Sequence, residues 1–155
     1  MNNGPAERPS RFPWPPALMV LFAALAWLGS PANQPDTWQL WLGAGLAIAG
    51  LTLDALGAAH LLRHKTAVLP HRAASTLVSS GVFGISRNPI YVGYVAILVG
   101  IAILRPGLIS ALCVCTFAIL LLKLAIEPEE AHLSAKFGTD WQDYAERVPR
   151  WFGPL

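Results

Sequence analysis

The chain has 155 residues, of which 54% are hydrophobic and only 13% charged, with a formal net charge of +2. Soluble domains carry about 25% charged residues, so this composition excludes an ordinary water-soluble globule and points to lipid as the main solvent. The charge is dispersed, with no dense Lys/Arg stripe interleaved with aromatics, which excludes nucleic acid as a partner.

In chain order, residues 1–16 are rich in proline and polar groups and carry Arg8 and Arg11. Such a segment buries no core and is expected along the membrane surface. Residues 17–155 read as one membrane domain. A first span is expected over 17–29; it reaches across if Trp14 is included and Pro15 and Pro16 fill the first helical turn. A secretory signal peptide competes for this stretch, because two arginines precede a short apolar core and Ser30-Pro31-Ala32 supplies small residues near a cleavage point. The segment 29–37, with two prolines, Asn33 and Asp36 but no Lys or Arg, reads as a non-cytoplasmic turn. A second span follows over 38–62, with Trp38 and Trp41 suited to the interface and Asp54 as its one acid.

Residues 63–88 break the apolar pattern with Arg63, His64, Lys65, His71, Arg72 and Arg87. The positive-inside rule makes this loop cytoplasmic. Asn88 as N-cap and Pro89 at the first helical position open a third span, 89–104. Arg105-Pro106-Gly107 leaves room only for a tight reversal, so the fourth span, 108–126, forms an antiparallel hairpin with the third. Cys113 and Cys115 lie two apart within it, point in different directions, and read as small packing residues. From 127 to 155 a polar amphipathic tail follows, with Pro128 starting a new helix and Leu133, Phe137, Trp141 and Tyr144 sharing one face. Counting spans from a cytoplasmic N-terminus puts the basic loop and the tail on the same side. The expected fold is an all-α integral membrane protein of four transmembrane helices, placed in a bacterial inner membrane.

Ser75 to Tyr91 and Glu127 to Tyr144 flank the hairpin and emerge at one surface, where they can build one pocket. Gly81 and Gly84 permit close turns. Arg87-Asn88-Pro89 offers donors and a positive helix end to a carboxylate or phosphate. Gly93 leaves a gap beside Tyr91 and Tyr94 for a flat ring or a thin chain. The same residues also fit a well-capped span with interfacial tyrosines. Glu127, Glu129 and Glu130 can hold a cation at the boundary, although acids in the first turn of a helix also have a structural use. His60 and His64 have a metal-binding spacing without a third ligand nearby and read as interfacial side chains. Asp54 is a functional candidate by its depth, or a partner of Thr52 or a neighbouring helix.

The run Ser75-Thr76-Leu77-Val78-Ser79-Ser80-Gly81-Val82-Phe83, followed by Ser86-Arg87-Asn88-Pro89-Ile90-Tyr91-Val92-Gly93, resembles the isoprenylcysteine carboxyl methyltransferase family and its bacterial and phospholipid methyltransferase relatives. Glu129-Glu130, Leu133, Phe137-Gly138, Tyr144 and Arg147-Val148-Pro149-Arg150 resemble that family's C-terminal block in order and spacing. The resemblance covers roughly 66–151. It implies that S-adenosylmethionine, leaving as S-adenosylhomocysteine, is held by Ser75, Thr76, Leu77, Val78, Phe83, Asn88, Pro89, Ile90, Tyr91 and Glu129, with Glu130 the second candidate acid. Arg87 and Tyr91 are the catalytic candidates, where a lipophilic acceptor from the lipid bilayer meets the cofactor. Tyr94 and Lys123 are the candidates for the acceptor side. Asn88 stands where the family commonly has His, and Ser75 and Phe83 where it often has His and Tyr; Asn88 donates a hydrogen bond but cannot exchange a proton near neutral pH. The acceptor stays open among isoprenoid carboxylates, lipid amines, thiols and other small lipophiles. A small transporter with Asp54 as coupling acid, a membrane-binding module and a non-catalytic membrane subunit are the rival functions.

Overall fold

A computed structural model describes residues 14–66 and 76–152. The expected surface segment falls outside the described residues up to residue 13, and so do Ser75, His71 and Arg72. Within the described residues the chain is all helical, with no strand. Helix α1 spans Trp14–Gly29, α2 Thr37–Arg63, α3 Pro89–Leu104, α4 Leu108–Leu121, α5 Glu127–Phe137 and α6 Thr139–Arg147. A short 3₁₀ turn, Gly81–Gly84, precedes α3.

The fourth apolar stretch departs from its expected end. Instead of stopping at residue 126, the helix passes through a π-turn, Leu122–Ile126, directly into α5, so that Leu108–Phe137 forms one 30-residue rod. Pro128 lacks an N–H and its ring crowds the carbonyl four residues back. The widened turn just before it absorbs that conflict, a local solution frequent at functional sites. α2 and this rod are long and apolar enough to cross a membrane. α1 and α3 are apolar but have 16 residues each, about 24 Å at 1.5 Å per residue.

α2 and α3 run antiparallel and touch through glycines. A Cβ on Gly50 would lie 2.5 Å from the Gly93 carbonyl oxygen, and one on Gly100 would lie 2.5 Å from that of Gly43. Repeated every seven residues, Gly43, Gly50 and Gly57 let the backbones approach as small residues do in membrane bundles. On the other side α1 lies antiparallel to α4, with Phe22 and Phe117 5.8 Å apart, around a core of Leu98, Phe117, Leu121 and Ile126. Outward faces are apolar: Leu28 is 81% and Trp41 75% exposed. Apolar surface of this extent on a helix bundle is the kind that faces lipid or another apolar partner.

The ends of the bundle sort cleanly. At one end the turn after α1 meets the turn after α3, where Arg105 Nη1 donates to the Pro31 carbonyl at 3.3 Å and the guanidinium sits 4.4 Å from the Trp27 ring. At the other end lie the start of α1, the end of α2, the start of α3, α5 and α6. The candidate site forms there.

Candidate active site

At this end α2 stops in a Schellman-type turn. The Thr66 N–H bonds the Leu61 carbonyl at 3.1 Å and the Lys65 N–H that of Leu62 at 3.0 Å, with Lys65 in the left-handed region at φ 53. His60 holds the returning chain: its Nε2 lies 3.1 Å from Ser80 Oγ, and its ring stacks on Phe83. Gly81 has φ +60, and a Cβ there would meet the His60 ring at 2.8 Å, so glycine is required on both counts. His64 Nδ1 bonds the His60 carbonyl. The two histidines thus serve the packing of the loop.

The tail does not continue as one amphipathic helix. Gly138, at φ +55, ends α5 and turns the chain into α6. Leu133 and Phe137 still join Trp141, Tyr144 and Val148 in one cluster, together with Leu77. Tyr144 donates its hydroxyl to the Phe83 carbonyl at 2.7 Å. Burial pushes this phenol well above its ordinary range, the Arg87 charge opposing and the Glu130 charge adding to the shift, so it remains a donor.

Residues 148–151 then fold back as an arm across the start of α3. The Arg87 N–H donates to the Pro149 carbonyl at 2.9 Å, and Ser86 Oγ and Asn88 Nδ2 both donate to the Arg150 carbonyl. Asn88 occupies the expected N-cap position, but its side chain makes no cap bond; its amide is committed to the arm, and only Pro89 acts as anticipated. Arg150 grips Glu130 through Nη2 at 2.6 Å and Nε at 3.1 Å. That contact raises the guanidinium above its already high range. Arg87 Nε approaches Glu130 at 3.7 Å.

Two clefts open beside this framework. One, of about 530 Å³, is lined by Pro16, Asp54, Leu61, Phe83, Arg87, Asn88, Pro89, Ile90, Tyr91, Tyr94 and Glu129. The other, of about 450 Å³, adds Thr66, Thr76, Leu77, Val78, Leu133, Trp141 and Tyr144. Leu61, Phe83, Arg87 and Glu129 belong to both walls. Glu129 Oε2 accepts the Tyr91 hydroxyl at 2.8 Å. Burial pushes the Glu129 carboxyl up, the Tyr91 hydrogen bond pulls it down, and the Glu130 charge adds to the rise. Arg87 Nε is buried without a hydrogen-bond acceptor among the described residues, and its guanidinium lies 5.7 Å from the Trp141 ring.

Of the expected site residues, Thr76, Leu77, Val78, Phe83, Arg87, Asn88, Pro89, Ile90, Tyr91, Tyr94 and Glu129 line the clefts. Glu130 lines neither, because two arginines and Asn88 engage it. Lys123 is also outside them, exposed and paired with Glu127 at 2.8 Å. The motifs that carry the resemblance do not assign a site role to Asp54, Trp141 or Arg150, yet the first two line the clefts and the third clamps the arm. The depth of Asp54, and the Trp141–Tyr144 pair on one face, are the signals in the sequence that point to them.

The structure is thus an apolar helical bundle with acids, phenols and the half-buried Arg87 gathered at one end. Residues 38–140 match the phospholipid methyltransferase family. The chain is 30% identical over 148 residues to the Protein-S-isoprenylcysteine O-methyltransferase B of Arabidopsis thaliana, covering 86% of this chain and 71% of that protein. It belongs to this family of isoprenylcysteine and phospholipid methyltransferases. It is also 24% identical over 138 residues to the nickel-cobalt-cadmium resistance protein NccN of Alcaligenes xylosoxydans xylosoxydans, covering 89% of this chain and 62% of that one. No solved structure matches the chain.

Proposed function

We propose that the chain transfers a methyl group from S-adenosylmethionine to a lipophilic acceptor, at the cytoplasmic face of a bacterial inner membrane crossed by α1, α2, α3 and the apolar part of the rod, 108–126. The observation that carries this is Glu129, hydrogen-bonded to Tyr91 on the wall common to both clefts. The donor set fits the cofactor. Arg87 Nε, buried without an acceptor, suits its carboxylate, Glu129 its ammonium, and Phe83, Trp141 and Tyr144 its rings and sulfonium. When bound, the cofactor supplies a methyl group already activated by its positive sulfur.

The protein's part is orientation and exclusion of water. Thr76, Leu77 and Val78 close the cofactor side, and the Arg150–Glu130 clamp keeps the arm over it. Tyr91 orients Glu129. Asn88, Pro89 and Ile90 line the first cleft, where Tyr94 faces the acceptor, whose tail reaches in from the bilayer. The side of the membrane follows from charge: Arg63, Lys65, Arg87 and Lys123 gather at the site end, against Arg105 at the other.

Calorimetry of the full chain in detergent or nanodiscs tests the proposal with S-adenosylhomocysteine as probe. Micromolar-scale binding, about 8 kcal/mol, is expected. Glu129→Gln should weaken it by roughly 1.5–3 kcal/mol, the usual worth of a charged hydrogen bond. Unchanged affinity in both Glu129→Gln and Tyr91→Phe would remove the site from this end of the bundle.

A further inference from the structure

The first cleft contains an acid that the cofactor does not need. Asp54 stands nine residues before the end of α2, and no hydrogen bond or ion pair joins it to any described residue. The Thr52 hydroxyl, its nearest candidate partner in the sequence, donates instead to the Ile48 carbonyl at 2.8 Å. An acid without a partner at the depth of a membrane helix is costly to keep and marks a working group. It lines the same cleft as Tyr91, Tyr94, Arg87 and Glu129. Beside it α3 carries Gly93, whose bare Cα lets the α3 backbone close on α2 at this level rather than leaving the gap the sequence suggested: a Cβ there would meet the Gly50 carbonyl oxygen at 2.6 Å and the Asp54 Cβ at 3.4 Å. With Arg87 and Glu129 facing the cofactor's carboxylate and ammonium, Asp54 is the charge this wall turns toward an acceptor. An anionic acceptor would meet like charge there, whereas a nucleophile bearing hydrogen would meet a proton acceptor.

We propose that Asp54 accepts the proton from a lipophilic acceptor whose attacking atom bears hydrogen, and that it turns carboxylate acceptors away. This rests on the methyl-transfer function proposed above. The acceptor's lone pair forms the bond to the methyl carbon, and the electron pair of the carbon–sulfur bond leaves with the thioether. The hydrogen on the attacking atom passes to a carboxylate oxygen of Asp54. Its proton then returns to water through the cleft mouth.

The full chain in nanodiscs, given labelled S-adenosylmethionine, tests this with four acceptors: an alkyl amine, an alkyl phenol, an aminophospholipid and the matching alkyl carboxylate. Label should enter a hydrogen-bearing acceptor and not the carboxylate. The aminophospholipid and single-chain arms separate a lipid headgroup from a free lipophile. Asp54→Asn should slow transfer by about 100-fold or more, with S-adenosylhomocysteine affinity kept within about twofold, and Asp54→Glu should recover part of the rate. Independently of turnover, Asp54→Asn should bind the alkyl carboxylate about tenfold tighter than the parent chain, the effect of removing one nearby like charge. Methylation of the carboxylate by the parent chain, or undiminished transfer in Asp54→Asn, overturns the proposal. So does retained S-adenosylhomocysteine binding with no hydrogen-bearing acceptor labelled, which leaves the cofactor site standing. Absence of that binding overturns both. If Asp54→Asn fails to fold, the comparison of acceptors in the parent chain decides.

Discussion

Glu129 and Glu130 are neighbours in sequence with opposite uses. Glu130 is neutralised by Arg150 and approached by Arg87, while Glu129 accepts the Tyr91 hydroxyl. Burial raises the Glu129 carboxyl above the usual carboxylate range. The folded chain therefore holds this proton more tightly than the unfolded chain does. Its contribution to folding thus falls as pH rises from the ordinary carboxyl range through the elevated value. Binding of an ammonium has the opposite dependence, because the ligand requires the carboxylate. S-adenosylhomocysteine affinity should climb with pH through the elevated value and then level off, with proton release on its acid side. Calorimetry in buffers of different ionisation heat measures this; affinity that is flat or falls as pH rises would exclude Glu129 as the cation's partner. The sequence reveals an acidic pair at a boundary but not its division of labour, because the π-turn at Leu122–Ile126 shifts the helical register just ahead of both residues.

At the scale of elements, the α2–α3 contact is set by glycine. Gly50→Ala would press a Cβ to 2.5 Å from the Gly93 carbonyl oxygen, which is backbone and cannot rotate away; a loss of about 1–3 kcal/mol is expected from such overpacking. Gly45, on the same helix, has nothing within 4 Å of its Cβ position, and Gly45→Ala should gain up to about 1 kcal/mol from helix propensity. Unfolding of both variants in mixed micelles reads the contrast, and equal effects would deny the close approach. The arm is a separate element. Arg150→Ala removes the bidentate partner of Glu130, and about 1–3 kcal/mol of local stability should go with it. Limited proteolysis should then cut at Arg147 much faster while the bundle unfolds at an unchanged denaturant concentration. The bounds of α1, α2 and α3 are legible in the sequence to within a few residues, because proline, glycine and asparagine mark them locally, whereas the end of the α4 rod is not. The arm is not, since its bonds join residues more than 60 apart in the chain.

For the whole molecule, the antiparallel bundle brings the turns at 29–36 and 105–107 to one end and the clefts to the other. In the proposed four-span topology the ends face opposite sides of the membrane. With the native cysteines replaced by Ala, Gln34→Cys should react with an impermeant thiol reagent from outside intact cells. Gln142→Cys, exposed on α6, should react only after the cells are opened. Labelling of both from outside would reverse or abolish the proposed topology. The basic residues that gather at the cleft end stand out in the sequence itself.

Composition and the lengths of apolar runs determined the solvent, the helical class and the approximate extent of each helix, since these depend on a residue and its near neighbours. Paired motifs determined the family. Only the tertiary structure decided which faces meet. In a helix apolar on every side, lipid and protein core favour the same residues, so periodicity gives no direction. The glycine register of α2 against α3, the entry of Asp54 into the cleft, and the commitment of Asn88, Glu130 and Lys123 to bonds elsewhere all follow from packing that joins one element to another.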